Sequence, residues 1–268
     1  MYTADVGVYY PLKGKSNTEI AAESRSMHKC QGFGSTGSRG EQSEYLEFLD
    51  GSKPTAKDDV FSGINTSWTR LKGGAPIGEL VSLVERTFDP TAPYNSVDVL
   101  VEIYDEISKL GDSVWKQRKL EETKELILAC SGFYLDVHTR DRSATPGDTV
   151  DIEFEIINRS PVNMELKGVE ANLTNFNPTF DVSLENNNNN IFRSEVVVPK
   201  DMEYSTSYWL RKDGTLGMYA VEDKSLIGVP QTPDPIVFDF NLHVNNISIL
   251  VSRPLVFKKR DPVKGELC

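Results

Sequence analysis

The chain has 268 residues, a formal net charge of -11, a pI near 4.9 and a mean hydropathy of -0.37. That length supplies one large or two medium domains with a real core, and no apolar run approaches the roughly 20 residues a membrane helix needs. The acidic balance argues against a nonspecific nucleic-acid binder, and three widely spaced cysteines, Cys30, Cys130 and Cys268, argue against a disulfide scaffold or zinc ribbon.

Residues 1–15 read as an extended arm around Tyr9-Tyr10-Pro11. Ser16 followed by Glu19 is a capping box, which predicts a helix from near Asn17 to about 30, with Gly32 as its stop. The stretch Ala22–Gly40 then packs Arg25, His28, Lys29 and Gln31 ahead of glycines 32, 34, 37 and 40. Two readings fit it. One is a capped surface helix followed by a flexible loop. The other is a helix end and Gly-rich loop that line a pocket for a polar, anionic or sugar-like ligand, with the Ser, Thr and Arg side chains as donors. It is not a phosphate-binding P-loop, because it lacks the Gly-Lys-Ser/Thr ending and follows a helix instead of opening one.

Glu41–Leu49 predicts a short helix with Tyr45, Leu46 and Leu49 inward. Trp68 and Arg70 follow an ambiguous segment; Trp68 reads as a packing residue or as a stacking surface beside a pocket. Three apolar stripes at steps of three and four then predict a small antiparallel helical bundle. They are Ile77, Leu80, Val81, Val84 and Phe88; Val97, Leu100, Val101, Tyr104, Ile107 and Leu110; and Leu120, Ile127 and Cys130.

The pattern changes near Ser131-Gly132. Tyr134–Thr139 and Val150–Ile156 alternate as half-buried strands do, and further strands are expected at 163–174, 191–198, 236–244 and 247–257. Asn186–Asn190 reads as a hairpin tip. His138 and His243 lie mid-strand and read as surface or packing residues. Tyr208-Trp209-Leu-Arg211-Lys212-Asp213-Gly214 combines a stacking surface with donors, which suits a sugar but equally suits a core Trp beside a charged turn. The tail from Lys258 to Gly265 resembles an interdomain linker. The expected architecture is α+β: a helical region over residues 1–131, then an immunoglobulin-like antiparallel β-sandwich over 132–268.

Residues 14–34, Gly-Lys-Ser-Asn-Thr-Glu-Ile-Ala-Ala-Glu-Ser-Arg-Ser-Met-His-Lys-Cys-Gln-Gly-Phe-Gly, resemble a segment of the PIG-L (LmbE-like) zinc-dependent de-N-acetylases, in particular the large multidomain Bacteroidetes type. The family's His-Lys-Ser-Gln element reads here as His28-Lys29-Cys30-Gln31, with Cys30 departing from the usual Ser. The resemblance continues through Asp59–Trp68 and Tyr208–Gly217 and covers nearly the whole chain, residues 1–40 being similar to the end of the catalytic domain. The family's His-Pro-Asp-Asp and His-x-x-His motifs, which supply its zinc ligands and catalytic base, do not occur. The adjacent Asp58 and Asp59 follow Ala56-Lys57, and His28, His138 and His243 are widely separated.

The resemblance therefore implies the non-catalytic C-terminal portion of an N-acetylglucosaminyl de-N-acetylase, supporting or lining the substrate site and inactive alone. Catalytic residues and metal ligands are expected to be absent from this chain, with zinc belonging to a catalytic domain expected upstream. His28, Gln31, Ser35 and Arg39 would flank the substrate entrance, and Trp68, Arg70, Trp209 and Arg211 would contact sugar. The partner would be an N-acetylated sugar or glycan, not nucleic acid. The parent is expected in the periplasm or outside the cell, although the first residues show no signal-peptide pattern. The alternatives are a free-standing carbohydrate-binding module and a structural spacer.

Overall fold

The computed structural model describes residues 1–57, 59–172, 176 and 178–267. Asp58, Cys268 and the expected strand end at 173–174 lie outside them. The chain is α+β and divides into two compact units, Met1–Arg70 and Leu71–Cys268.

The first unit is not the helical region expected. Its strands are β1 (Tyr2–Asp5), β2 (Tyr9–Tyr10) and β3 (Lys15–Ser16), followed by a helix, α1 (Asn17–Ser26), and a fourth strand, β4 (Ser43–Leu46). β2 and β3 form a small hairpin, so the extended arm is folded back on itself. The capping box forms: the Ser16 hydroxyl accepts from the Glu19 amide, and the Glu19 carboxylate accepts from the Ser16 amide at 2.9 Å. The α-helix stops at Ser26, and a 3-10 turn over Lys29–Gln31 continues to the predicted stop, where Gly32 adopts φ 67°. The predicted helix at Glu41–Leu49 is instead β4, paired antiparallel with β1. A short apolar run does not distinguish helix from strand, and the partner strand decided the matter. Tyr45, Leu46 and Leu49 are exposed, contrary to the inward placement expected.

The second unit opens with the three expected helices, α2 (Ala75–Thr87), α3 (Val97–Ser108) and α4 (Val114–Cys130). Ile77, Leu100, Val101, Ile103, Ile107 and Ile127 are buried between them. Two placements differ: Phe88 caps the end of α2 and is exposed, while Leu128, not Cys130, fills the core beside Ile127. The half-buried Cys130 thiol is pushed up by desolvation. The buried Ser131 hydroxyl donates to the Ile127 carbonyl at 2.7 Å, closing α4 where the strand region begins.

The strands that follow are β5 (Tyr134–Thr139), β6 (Thr149–Ile157), β7 (Met164–Ala171), β8 (Thr179–Ser183), β9 (Asn190–Val197), β10 (Val237–Val244), β11 (Ile247–Pro254) and β12 (Val256–Phe257). One four-stranded sheet runs β11-β10-β7-β8, and another runs β12-β5-β6-β9. Pairing is antiparallel except where β12 meets β5. Period-2 alternation directs Val150, Ile152, Phe154 and Ile156 of β6 inward, and Phe238, Phe240 and Leu242 of β10 meet them from the other sheet. The Phe154 ring lies edge-on to Phe238 and Phe240, centroids 5.3 and 5.4 Å away. Burying each of these side chains contributes about 1.5–3 kcal/mol.

The asparagine run is not a hairpin tip. It carries the chain from β8 in one sheet to β9 in the other. It is pinned: the Asn187 amide donates to the Asn158 carbonyl, and the Asn189 amide group donates to Glu155 at 2.9 Å. The buried Asn158 side chain is fully satisfied, donating to Val162 and Leu184 and accepting from Ser160. The tail is likewise no linker. β13 (Lys259–Asp261) and β14 (Gly265–Leu267) form an antiparallel hairpin.

Candidate functional site

In the first unit, the Gly-rich loop folds back along α1. The Ser35 amide donates to the Ser26 hydroxyl at 3.1 Å, Thr18 donates to the Ser38 carbonyl, and the Arg39 guanidinium pairs with Glu19 at 2.9 Å. Gly37 sits directly on the first turn of the helix. A Cβ there would lie 2.6 Å from the Glu19 Cα, so only glycine fits this approach. Hydrogen bonds from the Ser16 amide and hydroxyl, and then the charge of Arg39, hold the Glu19 carboxyl below its usual range.

His28 and Gln31 meet at the end of this helix, with Nδ1 of His28 3.0 Å from Oε1 of Gln31. An amide oxygen only accepts, so Nδ1 of His28 is the donor in this contact. Both residues are exposed, and Phe33 lies beneath them, its ring 6.3 Å from His28 and 5.3 Å from the Arg25 guanidinium. The structure thus joins His28 to Gln31 and Ser35 to Ser26, while the Arg39 Nε is engaged by Glu19. Trp68 and Arg70 occupy a 3-10 turn later in this unit, Trp68 half-buried.

Trp209 and Arg211 belong to the second unit. Tyr208 is buried, its hydroxyl donating to the Val229 carbonyl at 2.9 Å, and Trp209 packs edge-on against it at 4.8 Å. Trp209 faces a cavity of about 470 Å³ shared with Lys212, Asp213 and Tyr219. Arg211 faces a different one, of about 550 Å³, with Tyr204, Gln231 and Asp234. Trp209 and Arg211, both expected to contact sugar, therefore line separate cavities.

Sequence reading passed over a third arrangement, on the outer face of the β12-β5-β6-β9 sheet. Register puts His138 opposite Glu153, Asp136 opposite Glu155 and Glu153 opposite Arg193. His138 Nδ1 is 3.0 Å from Asp136, Nε2 is 3.7 Å from Glu153, and Arg193 holds the other Glu153 oxygen at 2.8 Å. The Nδ1 contact satisfies ion-pair distance but not hydrogen-bond geometry, so this buried atom makes no hydrogen bond. Lys258 reaches in from the tail, 2.8 Å from Asp136 and 3.0 Å from Glu266. Burial works against its charge, but the bonds to Asp136 and Glu266 outweigh it and hold the ammonium above its usual range. Cavities of about 420 and 760 Å³ both include His138 in their walls. Strand alternation places Asp136, His138, Glu153 and Glu155 on one face; nothing local signals that Lys258 and Glu266 join them.

The fold defines a class no narrower than a mixed α+β protein of helices and largely antiparallel sheets. No family model matches the chain, and no curated protein matches it. Among solved structures, it is similar to the Pseudomonas fluorescens alkylpurine DNA glycosylase AlkC bound to DNA containing an abasic site analog, at 8% identity and a TM-score of 0.21, over 66% of this chain and 50% of that one. The chain spans about half the length of that protein, and a likeness this weak says nothing of fold or activity.

Proposed function

We propose that the chain is the non-catalytic portion of a PIG-L-type N-acetylglucosaminyl de-N-acetylase, and that the end of α1 and its loop support or line the substrate site of a zinc-bearing catalytic domain. The observation that carries this reading is the exposed His28–Gln31 pair on a loop pinned by Ser26, Thr18 and Glu19. An exposed, hydrogen-bonded imidazole beside an amide suits a sugar hydroxyl, and a loop anchored at three points supports it. Among the described residues no group of three His, Cys, Asp or Glu side chains that could hold a metal ion is found, and in this reading zinc belongs to the catalytic domain. The parent would act in the periplasm or outside the cell.

The sheets of the second unit we read as an immunoglobulin-like sandwich. The order β5-β6-β9 against β8-β7-β10-β11, with β12 crossing to pair in parallel with β5, supports this. Purified alone, the chain is expected to release no acetate from N-acetylglucosamine-type substrates. Added to a separately expressed catalytic domain carrying the His-Pro-Asp-Asp motif, it should raise turnover, and His28→Ala with Gln31→Ala should reduce that gain. Zinc near one equivalent with turnover by the chain alone would overturn the proposal. A carbohydrate-binding module is the second reading, favoured by the half-exposed Trp209 at the wall of its cavity. It requires glycan affinity that Trp209→Ala abolishes.

A further inference from the structure

The first unit has almost no interior. Among its described residues, Tyr2 and Ala22 are the buried hydrophobic side chains, while Tyr45, Leu49, Phe61 and Ile64 are each more than 60% exposed. A two-stranded ribbon such as β1–β4 is marginal in water without a third strand or a covering layer. One side of the ribbon is occupied, since the Thr3 amide of β1 donates to the Lys57 carbonyl at 2.9 Å. The other side is the outer edge of β4, whose four residues are all exposed.

We propose that this β4 edge is a docking site for an extended strand that is apolar and basic, contributed by a partner protein. Three observations converge on that occupant. An unpaired strand edge offers a row of amide and carbonyl groups in register for another strand. Tyr45, Leu46, Phe48 and Leu49 give it apolar contact surface that the chain itself leaves uncovered. Glu44 and Glu47 are interleaved with these side chains and make no ion pair among the described residues, so the edge carries negative charge. The same carboxylates disfavour a second copy of this chain, because β4 pairing with itself would bring like charges together. Lysine or arginine on the incoming strand would meet them instead. This inference stands on the strand edge and does not depend on the carbohydrate reading.

The test uses the full chain and a fluorescein-labelled eight-residue peptide alternating lysine and valine. Two controls accompany it: a glutamate–valine peptide, and the lysine–valine peptide N-methylated on every backbone amide, which keeps its charges but has no amide donor for a sheet edge. Fluorescence anisotropy should show both controls binding at least about tenfold more weakly than the lysine–valine peptide. Hydrogen exchange should slow at the outward-facing Ser43 and Tyr45 amides only when that peptide is present. The exposed double variant Glu44→Lys/Glu47→Lys should invert the preference between lysine and glutamate peptides. Equal binding of the N-methylated peptide would reduce the effect to bulk charge and overturn the proposal, as would no binding at all. Protection of the Ser43 and Tyr45 amides in the free monomer, or concentration-dependent dimerisation that protects them, would equally overturn it, because the chain itself would then cover the edge.

Discussion

Lys258 is the point at which the logic of the outer-face network is most directly exposed to experiment. Its amine sits 2.8 Å from Asp136 and 3.0 Å from Glu266, with side-chain exposures of 12% for Lys258, 17% for Asp136 and 63% for Glu266. Removing one partner of a buried pair strands the other charge and costs about 3–5 kcal/mol, whereas an exposed pair is worth about 0–1 kcal/mol. The Asp136 contact lies closer to the first case and the Glu266 contact to the second. Lys258→Met, which keeps the length of the stem, should therefore cost about 2–3 kcal/mol, between those limits. That corresponds to a fall of about 5–10 °C in Tm for a unit of this size. Adding Asp136→Asn removes the stranded carboxylate, so the double variant should recover roughly half of the loss, in a non-additive cycle. Urea unfolding of the three variants supplies the energies, and hydrogen exchange at 259–267 reports release of the β13–β14 hairpin. Lys258→Met within about 0.5 kcal/mol of the parent, or strict additivity, would refute the claim that Lys258 compensates Asp136.

Other expectations follow from single contacts. Phe154→Ala removes the ring that Phe238 and Phe240 meet edge-on, and should cost about 3–5 kcal/mol in urea unfolding; a loss below 2 would mean that the sheets close over the gap. Gly37→Ala forces a Cβ against the backbone of Glu19, so amides 35–39 should exchange faster while those of the second unit do not change. Glu19 is a carboxylate whose folded value is depressed, so its contribution is present above the ordinary carboxylate range and is lost as pH falls through it toward the folded value. Acidification from pH 6 to pH 3 should therefore loosen the start of α1, seen as faster exchange at the Glu19 amide, and Glu19→Gln should abolish that pH dependence. Exchange independent of pH after correction for the intrinsic rate would contradict it.

Local chemistry was enough to predict much of this chain. Ser16 and Glu19 announce the start of α1, and Gly32 the left-handed turn that closes the 3-10 turn beyond its end at Ser26, because capping and left-handed turns depend on neighbours along the chain. Alternation in 134–139 and 150–156 marks β5 and β6, and steps of three and four mark α2 and α3, because burial of one face imposes its period on the sequence. Contacts between distant segments carry no such imprint. Tyr45 and Leu46 became strand because Tyr2–Asp5 pairs with them, and the asparagine run became a crossover because Asn158 captures it. Lys258, 122 residues from Asp136, entered the His138 cluster because the tail folds back across the sheet. Pairing and charge compensation of that kind are settled by which surfaces meet in space, and a single chain read in order holds no record of that.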